Sequence, residues 1–99
     1  MATLNTFNPG FGTGVTVAPG TGSARTALTV GSQSLCLTNL GTVTVYIRTG
    51  DVTSVATAAD YPILASQQVT ITRRQDDTHV AYITASGTGS LHIMAGEGF

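Results

Sequence analysis

Apolar and polar side chains alternate along this chain with a period of two, in short runs broken by Gly, Asn or Asp at roughly 8–12-residue intervals. Val43, Val45 and Ile47 fall on one side of the clearest run, and Thr44, Tyr46 and Arg48 on the other. The same pattern sets Leu35 and Leu37 against Cys36 and Thr38, Val69 and Ile71 against Thr70 and Thr72, and Leu91 and Ile93 against His92 and Met94. Successive side chains of an extended strand point to opposite faces, so each run predicts a strand with one face buried. Seven or eight such strands in 99 residues predict one antiparallel all-β domain, a sandwich or small barrel.

Other segments refine that expectation. Val80-Ala-Tyr-Ile83 and the run from Leu91, separated by Gly87-Thr88-Gly89, predict a hairpin. Val52, Val55, Ala56 and Ala59 have helical spacing. The stretch is too short and too β-branched to make a stable helix, so a loop or edge strand leading into Asp60-Tyr61-Pro62 is expected. Residues 1–24 differ from the remainder, because two Gly- and Pro-rich clusters, Asn8 to Gly14 and Ala18 to Ser23, flank the single apolar run Val15-Thr-Val17. Gly and Pro at that density favour turns and extended chain. This part is read as an arm or first strand anchored by Phe7 and Phe11, with residues 25–99 as the sandwich body.

Charge is the scarcest resource here. Four Arg and five acids are the only formal charges, there is no Lys, and Thr alone supplies 18 residues. A net charge of −1 gives little field to steer a polyanion or hold an anionic membrane, so neither nucleic acid nor membrane is an expected partner. Without Lys there is no phosphate-loop lysine and no Schiff base. No Gly-x-Ser-x-Gly elbow occurs, and the lone Cys36 can neither close an internal disulfide nor share a zinc site with a second Cys. Placed between Leu35 and Leu37, Cys36 is expected to be a small buried hydrophobe. Gly10-Phe-Gly12-Thr-Gly14 lacks the spacing of a dinucleotide loop.

Asp76, Asp77 and His79 form the densest cluster of potential ligands, but adjacent carboxylates converge poorly on one ion, and a solvated loop is the expected state. His92 alternates with Leu91 and Ile93 and should face outward or into an interface. No catalytic residue, metal or cofactor is expected. The pair Arg73 and Arg74, followed by Asp76 and Asp77, suits ion pairing across a protein contact. A surface this poor in charge lacks the solubility margin of a free monomer, so part of it is expected to be covered in an assembly.

The stretch from Leu35-Cys-Leu-Thr-Asn39 through Val45-Tyr-Ile-Arg-Thr-Gly-Asp51, Ala59-Asp-Tyr-Pro-Ile63, Thr78 to Gly87, Leu91-His-Ile and Gly96-Glu-Gly98 resembles small structural proteins of tailed bacteriophages. These are capsid decoration (cement) or head-fibre-type β-sandwich proteins, and the resemblance covers about residues 34–98. It implies a jelly-roll-like fold, a non-enzymatic role on the outside of a capsid assembled in the host cytoplasm, and the major capsid protein as partner. It also implies self-association as a dimer or trimer, the trimer slightly favoured. Phe7, Phe11, Arg73 and Arg74 are the expected contacts. A carbohydrate- or receptor-binding module is the alternative, with Tyr46, Tyr61 and Tyr82 as the available aromatics, and a head-completion or tail role is a third.

Overall fold

A computed structural model describes residues 8–9, 14–28, 34–72 and 77–97. Its strands are β1 (Asn8–Pro9), β2 (Val15–Val17), β3 (Ala24–Ala27), β4 (Ser34–Asn39), β5 (Val45–Gly50), β6 (Tyr61–Ile63), β7 (Gln68–Thr72), β8 (His79–Thr84) and β9 (Leu91–Glu97). The larger sheet runs β1–β9–β4–β7, with β2 also paired to β9, and the smaller runs β3–β8–β5–β6. All pairings are antiparallel.

β1 and β2 share one edge of β9. Pro9 lies opposite Gly96 and Val15 opposite Ile93, so six steps along one strand match three along the other, and the register changes between the two pieces. Counted as one interrupted edge strand, they leave eight strands in two sheets. The chain changes sheet at every connection except β5 to β6. That interleaving is a jelly roll, the all-β sandwich architecture that the resemblance implies.

Inward-facing residues of both sheets meet in one core. Leu37, Val45, Ile47, Ile63, Val80, Tyr82, Leu91 and Ile93 are its buried members, with Val17, Leu28, Val69 and Ile71 packed around them. The alternation expected for β4, β5, β7 and β9 is therefore realised, and its apolar members face the other sheet.

The hairpin expected between residues 80 and 94 does not form. β8 and β9 belong to different sheets, because residues 85–90 cross the end of the sandwich. Thr84 donates its hydroxyl to the Gly87 carbonyl at 2.7 Å, Gly87 adopts a φ of +73°, and the Gly89 N–H donates to the Pro19 carbonyl at 2.8 Å. A side chain at Gly89 would press on methyls of Val43, Val45 and Thr84 at 3.3–3.4 Å, so only a residue without Cβ passes freely there. Gly-Thr-Gly here serves close approach rather than a two-strand turn.

The reading of residues 51–63 is realised. Residues 51–60 form a loop rather than a helix, and Tyr61-Pro-Ile63 is an edge strand. The same end of the sandwich that carries 85–90 also carries the turn from Leu64 to Gln67, closed by Gln67 N–H to the Leu64 carbonyl at 3.0 Å, with Ser66 at a φ of 61°. Asn39, the last residue of β4, is a buried knot: its amide donates to the carbonyls of Val43 (2.8 Å) and Ile63 (2.9 Å) and accepts from the Gly41 N–H (3.0 Å).

Candidate functional site

The four contact residues expected from sequence, Phe7, Phe11, Arg73 and Arg74, lie outside the described residues, as does Asp76. What the structure does place are the two outer faces of the sandwich, and they differ in kind.

The outer face of the smaller sheet carries charge and is covered. Arg25 on β3 and Arg48 on β5 both pair with Ala81 of β8, so the two guanidinium side chains flank it on the solvent side. Arg25 donates to the Ser54 carbonyl at 2.9 Å, and Ala56 N–H donates to the Ser23 hydroxyl at 2.9 Å. Arg48 meets Asp60 through Nε at 2.9 Å and through its terminal nitrogen at 2.8 Å. The loop 51–60 thus leaves β5, reaches the β3 edge and returns to β6, which requires it to pass over β8. Ala81 at 0% and Ala56 at 1% exposure are buried outside the main core, as a covering loop demands.

Two carboxylates hold this loop at its ends. Asp51 caps Thr53, and those hydrogen bonds, side chain first, hold its carboxyl below the ordinary value. Burial works against the charged form of Asp60, but the Thr57 N–H and then the Arg48 guanidinium outweigh it and lower its carboxyl as well. A depressed folded-state value contributes stability above the unfolded value of 3.8, lost as pH falls through the folded one. Acidification below that range is therefore expected to loosen residues 51–60 before the core. Protection of the Thr53 and Thr57 amides against hydrogen exchange, compared at neutral and strongly acidic pH with intrinsic rates removed, measures it. Arg48→Met should reproduce the loss at Thr57 at neutral pH, and equal protection in all three conditions would contradict the assignment.

Among the described side chains, the outer face of the larger sheet bears no acid and no arginine; it is exposed along Thr16, Gln68 and Thr70, half-buried at His92, Cys36 and Met94, and closed at Ser34, which is fully buried. One row crosses it as Thr16, His92, Thr38 and Gln68, and the next as Met94, Cys36 and Thr70. Thr16 Oγ1 lies 3.1 Å from His92 Nδ1, and Gln68 Nε2 donates to Thr38 Oγ1 at 2.9 Å. Gly14 leaves room for the imidazole, since a Cβ there would come within 2.8 Å of the ring. His92 faces outward, as its alternation predicts.

Cys36 is a correction to the sequence reading. Only Leu35 and Leu37 are buried, while Cys36 is half-buried on this outer face, because a two-residue period cannot put three consecutive side chains in one core. Asp77 is a second correction: it is 6% exposed rather than solvated. His79 is half-buried, with Nδ1 2.9 Å from Thr78 Oγ1, and among the described residues no group of three or more potential ligands could hold a metal.

The three tyrosines do not make a sugar platform. Tyr82 is in the core with its hydroxyl 2.7 Å from Thr26 Oγ1. Tyr46 and Tyr61 sit on opposite faces of neighbouring strands, since Tyr61 pairs with Ile47, one residue from Tyr46. Tyr46 instead lines a shallow depression of about 300 Å³ with Val43, Thr44, Ala85 and Ser86, which offers hydroxyls and one ring edge but no ionisable pair. Leu40 and Leu64, both more than half exposed, stand just beyond the Asn39–Ile63 hydrogen bond at the same end of the sandwich.

No family model matches the chain, and no curated protein does. Among solved structures it is similar to the Drosophila NLP-core, described with respect to pentamer formation and histone binding. That likeness has a TM-score of 0.36 and 13% identity over 84% of this chain and 95% of the other, and it carries no argument about partners.

Proposed function

We propose that this protein is a non-enzymatic structural component of a virion, bound to the outside of a tailed-phage capsid as a decoration protein that stabilises the shell. The observation that supports this reading most is the outer face of the larger sheet, which among the described side chains carries no acid and no arginine. A free monomer keeps charge on such a face for solubility. A subunit destined to be covered does not need it, and burying it against protein desolvates no ion.

In this reading the major capsid protein and further copies of the chain are the partners, and the shell gains stability because binding favours the assembled state. Particles assembled with and without the protein test the proposal by electron microscopy and heat challenge. Loss of exterior density, together with a lower temperature of shell rupture, is the expected result of omission. Particles unchanged in both respects would reject it. Copy number separates decoration from a head-completion or tail role, since a connector occupies one ring and a decoration protein the whole shell.

A further inference from the structure

The four sheet edges are not equally protected. β6 has three residues with Pro62 at its centre, β3 carries Arg25, and β2 is three residues long. Short length, charge and proline are the usual devices that stop an edge from pairing with another chain. β7, Gln-Val-Thr-Ile-Thr, is five residues of regular strand with none of these devices. We propose that β7 is a self-association edge, pairing antiparallel with β7 of a second copy about a twofold axis at Thr70.

The hydrogen-bond phase of the sheet shows which groups are offered. Asn39 N–H donates to the Gln67 carbonyl at 2.9 Å. In an antiparallel ladder, bonded and non-bonded pairs alternate, so Leu37–Val69 and Leu35–Ile71 are the pairs that exchange bonds with β4. The neighbouring strand agrees, because Leu40 N–H donates to the Ser90 carbonyl at 2.8 Å and places the β4–β9 bonds on the alternate residues of β4. The N–H and C=O groups of Gln68, Thr70 and Thr72 therefore point away from β4, along an edge that no described strand pairs and where these three residues are exposed.

A second copy fits that edge in every position. With Thr70 on the axis, Thr70 meets itself and Gln68 meets Thr72 of the second copy, giving about six backbone hydrogen bonds, two for each of three bonded pairs. Their side chains are hydroxyls and an amide, which both donate and accept, so Thr70 meets its copy and Gln68 meets Thr72 without repulsion. On the inner side Val69 meets Ile71 of the second copy, and both are only half-buried in the single chain. An isologous contact sets each charge of a patch against the same sign nearby, and this strand has none. The two larger sheets would become one continuous sheet across the axis, joining their uncharged faces.

The proposal deepens the self-association contained in the proposed role and selects a dimer, but it needs no shell, so it is tested on the isolated full chain. Sedimentation equilibrium over a wide concentration range should give a mass of twice 10.1 kDa. Thr70→Pro removes an outward N–H while leaving the β4 bonds of Val69 and Ile71 in place, and should return the chain to monomer with an unchanged far-UV spectrum. Thr70→Lys, which sets like charges across the axis, should do the same where the proline variant fails to fold. Thr70→Cys with Cys36→Ser supplies a positive readout. Bonded antiparallel partners lie about 5.5 Å apart at Cα, within disulfide reach, so oxidation should yield a covalent dimer. The second substitution is required because Cys36 is the cross-strand neighbour of Thr70. A wild-type monomer at all concentrations overturns self-association altogether. A trimer, or a dimer indifferent to both Thr70→Pro and Thr70→Lys and not trapped by the cysteine, overturns this contact alone.

Discussion

Asn39→Asp is expected to destabilise the fold by about 3–5 kcal/mol at neutral pH, a large part of the roughly 5–15 kcal/mol that holds a domain together. The side chain is 1% exposed, and its amide nitrogen donates to two carbonyls from different segments, Val43 and Ile63. A carboxylate has no proton to donate, so both carbonyls lose their partner and face a buried negative charge. Asn39→Ala removes the same donors without adding the charge, and is expected to lose about 2–3 kcal/mol. The order of the two variants is the informative result in urea unfolding. The sign of their pH dependence distinguishes them further. Burial against carbonyls raises the folded-state value of the new carboxyl, so its stability should be greatest in acid and fall as pH rises through the unfolded value. Asn39→Ala should show no such extra dependence. Equal stability for the two variants at neutral pH would mean that Asn39 is not desolvated in solution.

Asn39 also marks where the sequence stops being legible. The strands carrying the core could be read because their alternation is local: Val45 and Ile47, or Leu91 and Ile93, need only their own neighbours to show which side is apolar. Which sheet a strand joins is not local. Gly87-Thr88-Gly89 has the composition of a turn whether the chain folds back on itself or crosses to the other layer, and the deciding contacts come from Pro19 and Val43. The loop over Ala81 was hidden for the same reason, since Arg25 reaches Ser54, far away in sequence, only after β3 and β5 have paired on either side of β8, while Arg48 holds Asp60 at the other end of the loop. Cys36 was legible in principle, because the period that buries Leu35 and Leu37 already turns it outward. Taking the run as one apolar block obscured that. The edge groups of β7 had no side-chain signature at all. They are backbone atoms, and their direction follows only from the phase of the bonds to β4.

Leu37→Ala and Cys36→Ala, adjacent in sequence, should differ several-fold in their effect on stability. Leu37 is fully buried in β4 between β7 and β9 and belongs to the main core cluster. Truncating a buried Leu removes its transfer energy and leaves a cavity that a strand bonded on both sides cannot collapse to fill, so about 3–4 kcal/mol is expected. Cys36 points to the opposite face beside Met94 and Thr70, half-buried, where shortening opens no enclosed space, and less than about 1 kcal/mol is expected. A one-residue slip in the pairing of β4 would exchange the two faces and reverse the order. The comparison therefore tests the register on which the uncharged outer face depends. Denaturant unfolding at a concentration where the wild type has one association state keeps dimer formation out of the difference. Should Cys36→Ala prove the more damaging, β4 presents its leucines outward, and the uncharged face argued above is not the one this chain displays.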